Sequence, residues 1–463
     1  MSGLTADLNV SVQSLLAATE SMDVTTTNIA NMNTPGYARR RVVLEESTPT
    51  GTDGSTTGVD VKSIQSLRNT ILDLSINQAT SQQNQSSTLS SALSAAQLSF
   101  SDTASNSIGS TLDAFFSALQ QLSTTPADSS ARSNVLTAAG NLASAFQSTA
   151  SVITQSQQQL DQSVVQSTSD INSLLQQIAT TNGEISTAQN LGQSSNSAQD
   201  QLSDLLSQLA AITGYKTVNS SDGLTLTTDD GTPLVVGDKA YTLTNSLNSS
   251  GFNDVYAGGV DITKTIQGGS LGGDIQARDQ TLASMTTQLD QFAFQFAQAV
   301  NNVQTSGDDS SGATGVAMFN PPDTTAGTAT GAASSITVAL TDGSQISAAA
   351  TGGASGDNSN LTKMIDIQNQ SVINGATPTD AFSNLTFSIG NTISQANTDA
   401  TATGNILTQL QNQQGSISGV SLDEESSNLL LYQRSFQAAA KVISTVDTLM
   451  ANLLDMGATN PVY

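Results

Sequence analysis

The chain has 463 residues, of which 37% are hydrophobic and 35 are glycine, so it can bury a core and is expected to hold about two to four domains. Only 11% of residues are charged and the net charge is −25, which excludes nucleic-acid partners that need clustered Lys and Arg. The absence of Cys and Trp, and of any His, excludes disulfides, thiol nucleophiles, Cys/His zinc sites and histidine-dependent hydrolases.

The first thirty residues carry a heptad. Leu8, Leu15, Met22 and Ile29 recur every seven positions, with Leu4, Ser11, Ala18 and Thr25 in the companion row. This predicts a helix with one apolar and one small-residue stripe. It stops at Asn31-Met-Asn-Thr-Pro-Gly36, because Pro35 cannot continue a helix and Pro-Gly suits the centre of a type II turn with φ > 0 at Gly36. After Tyr37, Arg41–Leu44 and Val59–Val61 read as extended segments around a Gly/Thr/Ser loop at 47–58. Residues 1–64 are therefore expected to form a heptad helix plus an extended segment.

Residues 65–214 read as the first part of a long-helix domain, with breaks near Pro126, Gly183 and Gly192. Val164, Ile171, Ile178 and Ile185 keep a spacing of seven, and Leu202, Leu205, Leu209 and Ile212 supply a shorter stripe. The opposite faces are Ser, Gln, Asn and Thr, which suit packing against neighbouring copies. Across 215–272 the period changes to two, through Leu224, Leu226 and Thr228, with turns at Asp222-Gly, Asp230-Gly and Gly237-Asp. This predicts a small all-β outer domain. A helix returns over 273–305, where Leu282, Leu289, Phe296 and Val303 form one row and Met285, Phe292 and Ala299 the other. Residues 306–360 are loop-rich, with a hairpin expected through Ile336, Val338, Leu340 and Ile346, and 361–415 return to the helical domain.

The final segment, 416–463, has the strongest pattern. Leu422, Leu429, Phe436, Ile443 and Met450 fill one row, and Glu425, Tyr432, Ala439, Val446 and Leu453 the other. Five heptads predict a helix about 35 residues and about 50 Å long. The fold expected is mainly α with an inserted β domain, the N- and C-terminal heptad helices pairing into a coiled coil.

No motif carries catalysis. Gly268-Gly-Ser-Leu-Gly272 has the letters of a nucleophile elbow, but without histidine Ser270 has no base, and the segment reads as a turn. Asp229-Asp230, Asp308-Asp309 and Asp357-Asn358 lack calcium-loop spacing and read as turn and cap residues. Asp423-Glu-Glu425 falls in the first turn of the last helix, where carboxylates favour the helix dipole. No cofactor, metal or catalytic residue is expected. No apolar run reaches a membrane span, so no membrane insertion is expected, nor is a cleavable leader.

Asn28-Ile-Ala-Asn-Met-Asn-Thr-Pro-Gly-Tyr37 resembles the N-terminal signature of bacterial flagellar rod, hook and hook-associated proteins. Gly419-Val-Ser-Leu-Asp-Glu-Glu425, Tyr432-Gln-Arg-Ser-Phe-Gln-Ala438 and Ala440-Lys-Val-Ile-Ser-Thr445 resemble the hook-associated members in particular, as do Leu271-Gly-Gly and Ala277-Arg-Asp279. Where those proteins carry Ser-Arg-Gln after the Gly-Tyr, this chain has Ala38-Arg-Arg-Arg41. The resemblance implies a structural piece of the hook–filament junction, extracellular, exported unfolded by the flagellar type III system. Its implied partners are copies of itself, neighbouring hook and hook-associated proteins, and a cytoplasmic export chaperone at the C-terminal helix. Another axial protein, such as a hook or distal-rod subunit, is the nearest alternative.

Overall fold

The computed structural model describes residues 2–47, 58–97, 100, 106–220, 223–320, 329–354 and 356–458. Most of the expected 47–58 loop, and Asp222 of one expected turn, lie outside the described residues. The chain divides into two compact units, one of residues 1–80, 171–242 and 404–463, the other of 81–170 and 243–403.

In the first unit, α1 (Ser2–Ala30) leads into the antiparallel pair β1 (Arg40–Glu46) and β2 (Val59–Ser66), with a register shift between Val43 and Leu44. Hydroxyls along α1 bond back to carbonyls four residues earlier, Ser11 to Asp7 at 2.7 Å and Ser21 to Ala17 at 2.7 Å. A polar helix face can thus be buried without an unmet donor. The unit also takes the start of α2 (Thr70–Gln97), the C-terminal part of α4 (Ser129–Asn190) and α5 (Asn196–Ile212). It is completed by the end of α10 (Pro378–Ser418) and by α11 (Leu422–Ala458). Ile171, Ile178, Leu205 and Leu209 are buried, as their seven- and four-residue spacings require. Gly183 does not break α4. A Cβ added there would stand 3.6 Å from the Asp238 Cβ, an ordinary contact, so the glycine is not demanded by packing, and Asn182 beside it donates to the carbonyls of Leu224 and Gly237. One glycine costs a helix roughly 1 kcal/mol, too little to interrupt a run that buries Ile171 and Ile178.

The segment expected as one β domain forms two sheets. β3 (Lys216–Ser220), β4 (Gly223–Thr227), β5 (Pro233–Val236) and β6 (Lys239–Ala240) pair in chain order in the first unit. β7 (Leu243–Leu247), β8 (Asn253–Ala257) and β9 (Val260–Asp261) pair in the second. The alternation of period two is shared by both sheets, so it marks strands but not the border between them.

The second unit has the larger core. α3 (Ile108–Thr124) starts at Ser107, whose hydroxyl accepts from the Ser110 amide. It buries Phe115 and Phe116 against Phe296, with ring centroids 5.9 and 6.3 Å apart in edge-to-face geometry. Phe296 belongs to α7 (Leu282–Gln304), whose expected rows are buried at Leu282, Leu289, Phe296, Met285 and Phe292 and half-buried at Val303 and Ala299. α6 (Gly269–Gln276) runs into α7 through a π-helical turn over Ala277–Thr281. That turn holds Arg278 fully buried, 2.6 Å from Asp161 and 2.7 Å from Asp279, with its guanidinium over the Phe252 ring. Ser270 lies inside α6, beyond two glycines of positive φ.

The hairpin expected through Ile336 and Ile346 does not form. Instead β12 (Thr337–Val338) pairs with β11 (Phe319–Asn320), and β13 (Ala349–Ala350) with β10 (Gly307–Asp308). Ile336, Leu340 and Ile346 are buried anchors of a loop, with the short helix α8 (Ala332–Ser335) before them and α9 (Ser359–Asp366) after. Apolar residues that anchor a folded-over loop can mimic strand alternation.

Candidate functional site

The terminal helices α1 and α11 pack against each other. The deepest positions are not those of the rows richest in large apolar residues. On α1 the buried positions are Ser11, Ala17, Ala18, Ser21, Val24, Thr25 and Asn28, while Leu8, Leu15, Met22 and Ile29 are half-buried beside them. On α11 the buried positions are Glu425, Ala439 and Val446 of the companion row. Leu429, Tyr432, Phe436, Ile443 and Met450 are half-buried, and Leu422 and Leu453 are 49% and 44% exposed. Small side chains let the two backbones approach, and the larger ones flank the contact.

α1 ends in the expected turn. The Tyr37 amide donates to the Thr34 carbonyl at 3.2 Å across Pro35 and Gly36, and Gly36 has φ 73. A Cβ on Gly36 would stand 2.7 Å from the Asp200 carbonyl oxygen and 2.9 Å from the Asp204 Cβ. Glycine is thus required twice there, by the turn and by the close approach of α5. Asn31 donates to the Thr27 carbonyl at 2.9 Å, closing the last turn of the helix, and accepts from the Thr34 hydroxyl.

Tyr37 returns the chain onto Asn28, which is 1% exposed. The Asn28 Oδ1 accepts from the Tyr37 hydroxyl at 2.7 Å and from the Arg40 amide at 3.0 Å. Its Nδ2 donates to the Arg40 carbonyl at 2.9 Å and to Glu425 Oε2 at 3.0 Å. All four hydrogen-bonding positions of the carboxamide are filled. Arg39 reaches the same helix start, with Nε 2.7 Å from Glu425 and Nη1 2.7 Å from Glu424, and its amide donates to the Ser418 carbonyl.

A second cluster adjoins the first. Asp200 on α5 receives Arg40 at 2.5 Å and Arg68 at 2.6 Å. Arg68 also donates to Asp73, to Ser203 and to the Gly36 carbonyl, and Gln414 donates to Asp73 at 2.7 Å. Arg40 lies over the Tyr37 ring, 5.1 Å from its centroid. Burial, with Asp200 and Glu425 nearby, raises the Tyr37 hydroxyl above its ordinary pKa against the opposing pull of Arg40.

Of the residues singled out by sequence, the turn Pro35-Gly36-Tyr37 meets the start of α11 through Asn28. The chief connector, Asn28, its partner Glu425, and Asp200 and Arg68 of the adjoining cluster were missed as site residues. A signal existed: Glu425 occupies a heptad position shared with Tyr432, Ala439 and Val446, where a solvated carboxylate does not belong. The acidic pairs act as turn residues. Asp309 accepts from the Ser311 and Ala313 amides, and Asp357 from the Ala350 and Ser359 amides. Among the described residues no group of three or more acidic side chains is placed to hold a metal, and no helix is long and apolar enough to cross a membrane.

Three family models match the chain. The flagellar hook-associated protein FlgK helical domain matches residues 93–319, the flagella basal body rod protein model 8–37, and the C-terminal model of the FlgEFG basal body rod proteins 413–456. Flagellar hook-associated protein 1 of Salmonella typhimurium is 28% identical over 97% of this chain and 99% of its own length. The Bacillus subtilis protein of that name is 28% identical over 97% of each chain, and the Escherichia coli one 27% over 97% and 99%. The solved structure of the flagellar hook junction protein FlgK from Burkholderia pseudomallei shares the fold, with a TM-score of 0.66 at 18% identity, over 74% of this chain and all of that one. With a FlgK-type helical interior between rod-type termini, the chain is similar along nearly its whole length to flagellar hook-associated protein 1, a structural protein of the flagellum and not an enzyme.

Proposed function

We propose that the chain forms the junction between hook and filament, assembling outside the cell through its terminal helices after export in an unfolded state by the flagellar type III system. In this reading residues 1–64 and 416–463 act together as the inner domain, and the long-helix and β segments stack outward. The observation that carries it is a second apolar stripe on α11. Leu431, Val442 and Leu449 are 58%, 45% and 47% exposed, beside the seam that α1 covers. An exposed stripe along a helix already packed on one side favours further helices, supplied by copies of the chain and by neighbouring hook and hook-associated proteins. Before export the same stripe would lie in the groove of a cytoplasmic chaperone. A hook or rod subunit would share the termini, but the matched helical interior favours the junction. Cells lacking the chain should build hooks and shed filament protein into the medium. Filaments that remain attached would refute the assignment.

A further inference from the structure

Asn374 is the one non-glycine residue with positive φ among those described, at 50°, and Gly375 follows at 80°. The two form the centre of a two-residue hairpin. Ile373 donates to the Ala376 carbonyl at 3.1 Å, and Ala376 donates back at 2.9 Å. Positive φ at both centres defines a type I′ turn, for which Asn-Gly is the favoured pair. The Gly375 amide takes no part in either bond. Asn374 is exposed, while Ile373 is 1% exposed and belongs to the core of the second unit. α7 holds the tip by a reciprocal clasp, the Asn374 amide donating to Gln295 Oε1 at 2.7 Å and Gln295 Nε2 donating to Asn374 Oδ1 at 2.9 Å. Asn374 Nδ2 also reaches Gln291 Oε1 at 3.4 Å.

We propose that Asn374 is a site of spontaneous covalent modification, deamidating by attack of its own chain and slowed by the Gln295 clasp. The Gly375 nitrogen gives up its proton to solvent base and bonds to the Asn374 Cγ. The Cγ–Nδ2 bond breaks and ammonia leaves with a proton from water, closing a five-membered succinimide. Water then opens the ring. Cleavage of the N–Cγ bond leaves an aspartate side chain on a normal backbone, and cleavage of the bond to the α-carbonyl gives an isoaspartyl link through Cγ. Glycine permits this because no Cβ shields its nitrogen or restricts the rotation that brings it to Cγ. The clasp opposes it by fixing both the Asn374 carboxamide and its amide. The chain's other Asn-Gly pair, Asn182-Gly183, is held differently: it lies within α4, 5% exposed, with Nδ2 bonded to two carbonyls. An isoaspartyl link would lengthen the backbone in a two-residue turn and pull on buried Ile373.

The test is peptide mass spectrometry on the full-length folded chain, incubated in mildly alkaline water enriched in oxygen-18. The peptide containing residue 374 should accumulate the labelled acid and a separate isoaspartyl form, while the peptide containing residue 182 stays unchanged. In urea the two sites should convert at similar rates. Gln295→Ala should accelerate conversion at 374 several-fold in the folded chain, and Gly375→Ala should suppress it in urea, where turn strain is irrelevant. No conversion at 374 in the folded chain, or conversion at 182 as fast as at 374, would overturn the site. An unchanged rate in Gln295→Ala would overturn the clasp.

Discussion

Asn28 donates a 3.0 Å hydrogen bond to Glu425 across a sequence separation of 397 residues, so the end of α1 and the first turn of α11 are joined by a buried polar contact. Glu425 is 2% exposed and depends on Asn28 and Arg39 for partners. Glu425→Ala should cost about 1–3 kcal/mol by leaving buried donors unmet, and Glu425→Gln less, since its oxygen still accepts from Asn28. Hydrogen exchange should rise in α1 and α11, with the second unit unchanged. Equal loss of protection in both units would show that the contact does not act locally.

Gly36 tests the turn. A side chain there meets a left-handed backbone, costing roughly 1–2 kcal/mol, and the carbonyl of Asp200 at 2.7 Å. Gly36→Val should displace α5 from the turn, loosening the Arg40–Asp200–Arg68 cluster, and should reduce incorporation into flagella more than it lowers the melting of the second unit. Differential scanning calorimetry alongside a motility assay separates the two. Equal losses would mean that Gly36 serves general stability.

How far the site could be read from sequence follows from where its information lies. Gly36 declared itself through Pro35 and the end of a heptad, both local. Asn28 did not, because its four partners come from the turn, from β1 and from α11, and no local pattern reports a contact made across the whole chain. The heptads located both terminal helices and the stripe along each, with both α11 rows buried or half-buried from Glu425 to Met450, but not which positions lie deepest. Large residues signal apolar surface, whereas burial here follows close approach, which favours Ser11, Ala18 and Ala439. The two sheets and the folded-over loop at 336–346 were missed for a related reason. Alternation gives the state of a segment and not its partner.

Asp274 gives the second unit a pH signature. Burial at 6% exposure pushes its carboxyl from the ordinary 3.8 up to about 6, against the opposing pull of Arg278. Between those values the folded chain keeps the proton that the unfolded chain has lost, so stability falls as pH rises through this window and levels off above it. Asp309, Asp342 and Asp357 are held low by hydrogen bonds, and they lose their stabilising effect only as pH drops below the usual carboxylate range. Asp274→Asn should therefore flatten the decline between about pH 4 and about pH 6 in urea denaturation of the full chain. A variant that retains the wild-type slope would assign it to another group.

The two apolar faces of α11 should separate folding from assembly. Val446 is 6% exposed in the seam with α1, whereas Leu449, three residues on, is 47% exposed on the outer stripe. An unpaired carboxylate at the buried position costs several kcal/mol, and at the exposed one almost nothing in the free chain. Val446→Asp should release α1 from α11, seen as cleavage before residue 40 in limited proteolysis. Leu449→Asp should leave that resistance intact yet weaken chaperone binding and abolish filament attachment. Ile443→Asp, on a half-buried position between the faces, should do some of each, and Ser444→Asp, exposed and off both rows, should do little. The contrast matters because every variant adds the same charge to a chain already strongly acidic, so differences among them report position. If Leu449→Asp cells swim normally, or if Ser444→Asp impairs motility as severely, the outer stripe is not the assembly surface.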